Sequence, residues 1–386
     1  MNTDLVKKIA DAVLYEGYML YPYRASSVKN RQRFNWGVIV PPSYAEAQKG
    51  TENRQTQTEV LVLGEENAEL DLQFRFLHLR EREVYQYFDD SDEFRAVESI
   101  KIGDQIFQTW QEAVEREVSI SAVLSEPSTV ADGSSSAQSL TKSKQNPPAT
   151  ADGSDFSFPA DEETETLRDS EGKVVGKIVR RQKEIEGTIE LRIEEQNRKS
   201  QIANRKLFKL SVLVSNTTPF ENAAEKSRDE ALAHSLVSSH VVLRVQSGEF
   251  ISLLEPPDEF RQAIANCRNI ATYPILVGEN GERNCFLSSP IILYDYPEIA
   301  PESAGDLFDG GEIDEILTLR IMTMTDEEKS EMQSVDERSR KMLERTENLS
   351  AEQLMKMHGI LRRPRAFGNK DFFDDDLETR SESANG

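Results

Sequence analysis

The chain has 386 residues, 30% of them charged and 37% hydrophobic, and its 46 basic against 69 acidic side chains leave a net charge of −23. That length holds two or three domains, or one large domain with a tail, and buries a sizeable core; the acidity opposes a generally basic nucleic-acid binder. Two cysteines exclude a disulfide scaffold and a zinc ribbon, and no apolar run approaches the roughly 18 residues of a membrane span.

The opening MNTDLVKKIADAVL is amphipathic with mixed charge and reads as neither a signal nor a transit peptide, so a cytoplasmic protein is expected. Leu5, Ile9 and Val13 recur at helical spacing and Gly17 stands where a helix would stop, which predicts a helix over residues 4–15. From Gly17 to Ala45 there is no acid; Arg24, Lys29, Arg31 and Arg33 are interleaved with Tyr18, Tyr21, Tyr23, Phe34 and Trp36. Guanidinium groups and aromatic rings are what interface hot spots use, and what single-stranded nucleic acid binding uses. The plain alternative is that the rings enter the core and the bases pair with this chain's own acids.

Short apolar runs at 36–40 and 59–63 suggest strands, and Leu70, Leu72, Phe74 and Phe76 alternate with polar residues in the period of two of a half-buried strand. Weaker strand signals lie around Trp110, Val114 and Val118. Between Ser125 and Glu171 only five of 47 residues are bulky and apolar, and Ala-Asp-Gly-Ser occurs twice, at 131 and at 151. So little apolar surface does not offset the entropy of ordering, and a disordered low-complexity insertion is expected.

Alternation resumes at Val174 and runs through Ile185, Ile189, Leu191 and Ile193, then Phe208, Leu210, Val212 and Val214, then Val241, Leu243 and Val245. Ser247-Gly248 suggests a hairpin into 250–254, and Asn280-Gly281 a hairpin between 274–277 and 284–293. Helices are expected near 221–236 and 257–267. Thr325-x-x-Glu328, Ser334-x-x-Glu337 and Ser350-x-x-Gln353 are capping boxes, so short successive helices are expected up to Gly359, before a charge-segregated tail.

Motifs of chemistry are scarce. The sequence has no Gly-x-Ser-x-Gly, Gly-x-Gly-x-x-Gly or His-Glu-x-x-His. Gly172-Lys-Val-Val-Gly176-Lys has the wrong spacing for a phosphate loop and opens a strand. Asp306, Asp309, Glu312 and Asp314 fail calcium-loop spacing and suit a helix start. His78 reads as a hydrogen-bonded histidine on a sheet face, and Cys267 and Cys285 as buried, inert thiols. No catalytic, cofactor or metal residue is assigned.

Leu14-Tyr-Glu-Gly-Tyr-Met-Leu-Tyr-Pro-Tyr-Arg24 with Lys29-Asn-Arg-Gln-Arg33, and Glu312-Ile-Asp-Glu-Ile-Leu-Thr-Leu-Arg320 through Lys329, resemble an uncharacterised bacterial family encoded in gene clusters of nickel-iron hydrogenases. Trp110–Val118 and Asn216-Thr-Thr-Pro219 fit the same family, and the resemblance spans most of the chain apart from 125–171. It implies hydrogen metabolism by neighbourhood, and one fold interrupted by an insertion, with two separate β domains as the alternative.

The expected fold class is α+β, mainly an antiparallel β-sandwich with inserted helices and a helical C-terminal segment. Residues 1–124 and 172–310 form its two β-rich parts, 125–171 the insertion, 311–361 the helical segment and 362–386 a disordered tail. The expected role is a non-enzymatic accessory or scaffold protein that binds a protein partner, a nickel-iron hydrogenase subunit or maturation factor. Its candidate contacts are Tyr21, Tyr23, Arg24, Lys29, Arg31, Arg33 and Trp36, with Glu312, Asp314, Glu315 and Arg320. Direct nickel or iron delivery is disfavoured by the lack of clustered Cys and His. The alternatives are a hydrolase or transferase with an acidic site, or a single-stranded nucleic-acid module using 21–36.

Overall fold

The structure, a computed structural model, describes residues 3–15, 33–65, 67–103, 105–124, 154–196, 205–298, 321–335, 340, 343–344 and 346–348. Fifteen strands and five α-helices are described in chain order. They are α1 (Thr3–Tyr15), α2 (Pro42–Ala47), β1 (Gln55–Gly64), β2 (Glu69–Phe88), β3 (Glu93–Val97), β4 (Ser99–Ile102), β5 (Gln105–Gln108) and β6 (Trp110–Val123), then β7 (Ser154–Phe158), β8 (Asp161–Arg168), β9 (Val174–Gln182), β10 (Ile185–Glu195) and β11 (Lys206–Asn216). There follow α3 (Arg228–Leu232), β12 (Val237–Val245), β13 (Gly248–Phe250), α4 (Arg261–Ile264), β14 (Tyr273–Leu276), β15 (Cys285–Ser289) and α5 (Asp326–Val335).

Two antiparallel sheets form a sandwich. One runs β13-β1-β11-β10-β7; the other runs β14-β15-β12-β2, with β6 on the far edge of β2 and β9-β8 extending it. Alternation places Val60 and Val62 of β1, Leu210, Val212 and Val214 of β11, and Ile185, Ile189 and Ile193 of β10 against Leu70, Leu72, Phe74 and Phe76 of β2. Burying each such side chain contributes roughly 1.5–3 kcal/mol. Strands from both sides of the long insertion therefore share one core: β1 pairs with β11, and β2 with β12 and β9.

The outer faces are covered by helices. Val6, Ile9, Ala10 and Val13 of α1 pack on Val242, Cys285 and Leu287. On the other sheet, Leu61, Leu63 and Leu207 meet Phe260, Ile264 and Cys267. β2 spans 20 residues, roughly 65 Å at about 3.3 Å per residue, and so outruns the sandwich. Its first half pairs with β12 and β6; its second half pairs with β9 and β3. This projecting arm has its own small core of Val84, Ile178, Leu167 and Ile100.

Several expectations are corrected here. Residues 154–168, expected within the disordered insertion, form β7 and β8. Ser154, Phe156 and Phe158 are buried while Asp155 and Ser157 are exposed, so two aromatic rings suffice to seat β7 on β10. β8 is almost wholly polar, but its acids meet arginines across the ladder: Glu163 with Arg80 at 2.6 Å, Glu162 with Arg181 at 2.6 Å and Glu165 with Arg180 at 2.9 Å. The backbone ladder to β9 and the buried Leu167 seat the strand, the exposed ion pairs match its acids to their neighbours, and acids on an edge strand deter further pairing. Residues 125–153 lie outside the described set.

Ser247-Gly248 is not a hairpin turn. β13 leaves the sheet of β12 and pairs with β1 in the other sheet, Phe250 opposite Val62. The expected hairpin around Asn280-Gly281 does form, with Ile275 opposite Leu287, but its second strand stops at Ser289, before Pro290. Residues 36–40 make a single bridge, Ile39 to Leu236. The two central helices are shorter than expected: a 3-10 turn at Ala223–Glu225 with α3, and another at Asp258–Phe260 with α4. Of the C-terminal capping boxes, Thr325 and Glu328 exchange their hydrogen bonds at 3.2 and 2.9 Å at the start of α5; the other two involve residues outside the described set.

Candidate functional site: a groove at the end of the sandwich

At the end where β1 and β14 begin and β15 stops, the sandwich opens into a groove of about 540 Å³. Trp36, Tyr273 and Ile292 stand on it, 46%, 47% and 75% exposed. Of seven exposed large hydrophobic residues among the described ones, three gather here, and such gathering rather than single exposure marks a binding surface. The volume falls in the ligand-site range of roughly 300–1,000 Å³. A second pocket, near Arg244, Asp71 and Ser121 on the outer sheet face, holds only about 100 Å³.

The Trp36 wall is fixed by backbone. The carbonyls of Trp36 and Gly37 accept from Ser238 and Ser239 N–H at 3.2 and 2.9 Å, and Ile39 exchanges bonds of 2.9 and 3.1 Å with Leu236. Gly37 has φ +56°, and a Cβ there would lie 2.7 Å from Pro290 Cβ and 2.9 Å from Ser239 N. The position therefore requires glycine twice over, for its left-handed backbone and for the close approach.

The Tyr273 wall is fixed by a loop tied to β1. Gln57 and Ile270 exchange backbone bonds of 3.1 and 2.9 Å, and Arg268 N–H donates to the Glu59 carboxylate at 2.7 Å. Burial works to raise the Glu59 pKa, but Lys209, Arg268 N–H and Ser211 outweigh it and hold the carboxyl below its usual range. Next to Tyr273 in the chain, Thr272 joins a set of buried hydroxyls: Thr58 and Ser288 are 2.5 Å apart, Ser288 also meets Thr272, and Thr272 donates to the Ser289 carbonyl at 3.1 Å. On the rim, Asn53 is exposed and Glu52 is held by Arg228 at 2.9 Å.

Of the residues expected to make contacts, Trp36 stands in this groove. Arg33 does not: it is 6% exposed, its guanidinium lies 3.9 Å from the Trp110 ring centroid and 4.7 Å from that of Phe34, and it donates to the Gln111 carbonyl at 2.8 Å. Buried between two rings, its guanidinium is not presented at the surface as an exposed contact would need. Tyr21, Tyr23, Arg24, Lys29, Arg31, Glu312, Asp314, Glu315 and Arg320 lie outside the described residues. Tyr273 and Ile292 were missed in the sequence. Tyr273 opens a short strand before Pro274, and Ile292 was absorbed into a strand that Pro290 ends.

Two histidines and both cysteines elsewhere are packed into the fold. His78 Nε2 bonds the Lys183 carbonyl at 2.9 Å, and burial, aided by Arg116, lowers its pKa to about 3. His240 is fully buried, bonds the Ser238 carbonyl at 3.1 Å, and is likewise lowered to about 3 by burial and Arg75. Burial raises the thiols of Cys267 and Cys285 to about 11, so neither is a thiolate nucleophile at neutral pH. Among the described residues no three His, Cys, Asp or Glu side chains are placed to hold a metal, and no helix is long and apolar enough to cross a membrane. What the groove offers is aromatic area with polar rims, which suits recognition.

No family model matches the chain, and no curated protein matches it. A solved structure, the InvG secretin domain β-barrel from the Salmonella SPI-1 injectisome NC-base, aligns at 12% identity over 51% of this chain and 77% of that one, with a TM-score of 0.06. At that score the likeness carries no argument about fold or role.

Proposed function

We propose that this is a non-catalytic partner-binding protein whose docking site is the groove between Trp36 and Tyr273. The observation that carries the reading is the convergence of Trp36, Tyr273 and Ile292, all well exposed, on one groove between the sheets. Aromatic side chains bury large areas at low entropic cost, which is why few of them can dominate an interface. The resemblance read in the sequence at residues 14–33 and 312–329, which no family model or curated protein supports, suggests the partners to try first, a hydrogenase subunit or a maturation factor in the cytoplasm.

The test is affinity capture of the tagged chain from its own cells, wild type against the double variant Trp36→Ala with Tyr273→Ala. The reading expects hydrogenase subunits or maturation proteins with the wild type and at least tenfold less with the variant. Equal recovery from both, or no hydrogenase-related protein from either, contradicts it.

A further inference from the structure

The smaller pocket, on the outer face of the sheet of β2 and β12, is floored by three adjacent strands, β12, β2 and β6. The ladder register sets their side chains in rows. Arg244 lies opposite Asp71, and Asp71 opposite Ser121; in the next row Val242 lies opposite Gln73, and Gln73 opposite Ser119. Directly opposed residues share a face. One guanidinium, one carboxylate, one amide and two hydroxyls therefore gather around about 100 Å³.

Opposite charges placed directly across a ladder ordinarily pair. These two do not. Arg244 reaches the other way, where its guanidinium bonds the thiol of Cys285, its neighbour on β15. Its Nε is buried and has no hydrogen-bond partner among the described residues. Asp71 accepts from the Ser121 hydroxyl at Oδ1, at 2.8 Å. Among the described residues neither Arg244 nor Asp71 has an ion-pair partner, although both are half-buried. Other charges on the sheet faces are matched: Arg75 by Asp11 at 2.6 Å, Glu59 by Lys209 at 2.7 Å and Arg82 by Glu112 at 2.9 Å. The pocket thus holds a cation and an anion side by side, each having lost hydration that the protein does not replace.

What satisfies both is a ligand with a carboxylate for the guanidinium fork and an ammonium for Asp71 Oδ2. A small molecule carrying those two groups close together is a free amino acid. The volume lies well below the roughly 300 Å³ at which drug-sized sites begin, which restricts the side chain to the smallest. The Gln73 amide offers further donors and an acceptor. We propose that this pocket binds a small zwitterionic amino acid, glycine or alanine, with its carboxylate on Arg244 and its ammonium on Asp71.

Equilibrium dialysis of the full chain against radiolabelled glycine, acetate and methylammonium in parallel tests it, since the last two each carry one half of the ligand. Glycine is expected to bind at least tenfold tighter than either half. Arg244→Gln and Asp71→Asn are each expected to weaken glycine at least tenfold, and Asp71→Asn to erase the preference for glycine over acetate, because only the carboxylate anchor remains. Three results overturn the proposal: no glycine uptake by the wild type, acetate held as tightly as glycine (a bare anion site), or glycine affinity unchanged in either variant. The first two need no variant to fold. The site is separate from the groove, so its failure leaves the partner reading standing.

Discussion

Replacing Gly37 by alanine separates two costs that the structure assigns to one position. A left-handed backbone costs a Cβ-bearing residue roughly 1–2 kcal/mol, and alanine returns about 0.4–1 kcal/mol by restricting the unfolded chain. The added Cβ would also meet Pro290 Cβ at 2.7 Å and the Ser239 backbone nitrogen at 2.9 Å. Neither neighbour is the free end of a flexible side chain, so the Trp36–Gly37 segment must shift, at roughly 1–3 kcal/mol. The net loss expected is about 1–4.6 kcal/mol, centred near 3. Gly50 is the control: its φ is +83° and nothing lies within 4 Å of a Cβ there, so Gly50→Ala keeps the strain and lacks the collision, and should cost about 1 kcal/mol or less. Urea unfolding of the three proteins gives the comparison from midpoints at constant m. If Gly37→Ala costs no more than Gly50→Ala, the close approach of Trp36–Gly37 to Pro290 and Ser239 is refuted, and with it the geometry of the groove wall.

Phe156→Ala should cost about 3–5 kcal/mol, because the ring packs against Phe74, Phe76 and Phe158; an unchanged thermal midpoint would mean that β7 does not belong to the core. His78 and His240 refuse protons until about pH 3 in the folded protein but accept them from 6.5 when unfolded. The unfolded state therefore binds more protons in that window, and stability falls as pH drops through it. The groups facing His240 are Arg75, which discourages its charging, and Asp11 and the Ser238 carbonyl, which only partly offset burial. His240→Gln should flatten the loss of urea midpoint between neutral pH and about pH 4.5, and an unaltered slope would deny the burial of that imidazole. Cys285, buried under α1 and raised to about 11, should react slowly with dithionitrobenzoate in the folded protein and quickly once unfolded; fast native reaction would contradict its place beneath the helix.

What was legible in the sequence was parity. Alternation marks which residues of β2, β10, β11 and β12 face inward, because a strand under one packed face must alternate. Parity does not name a strand's neighbour, so the passage of β13 to the sheet of β1 was hidden behind a good turn signal. Composition misled at β8, whose partners, the β9 ladder, the small core around Leu167 and the arginines of β2 and β9, no local window contains. Ser227-x-x-Glu230 is a capping box, completed at the start of α3, and its spacing could have placed that helix. Trp36 was readable as a candidate contact because its neighbours are basic and aromatic. Its groove was not, since Tyr273 and Ile292 come from segments more than 200 residues away.

The central claim is that the groove beside Trp36 is covered by a partner in the cell, and site-specific photocrosslinking tests it most directly. A photoreactive phenylalanine analogue placed at Ile292, on the groove rim, and at Glu194, an exposed position on β10 away from the groove, would be irradiated in intact cells. The account predicts a discrete crosslinked hydrogenase-related protein from position 292 and none from 194. No adduct at 292, or the same adducts at both positions, would contradict it.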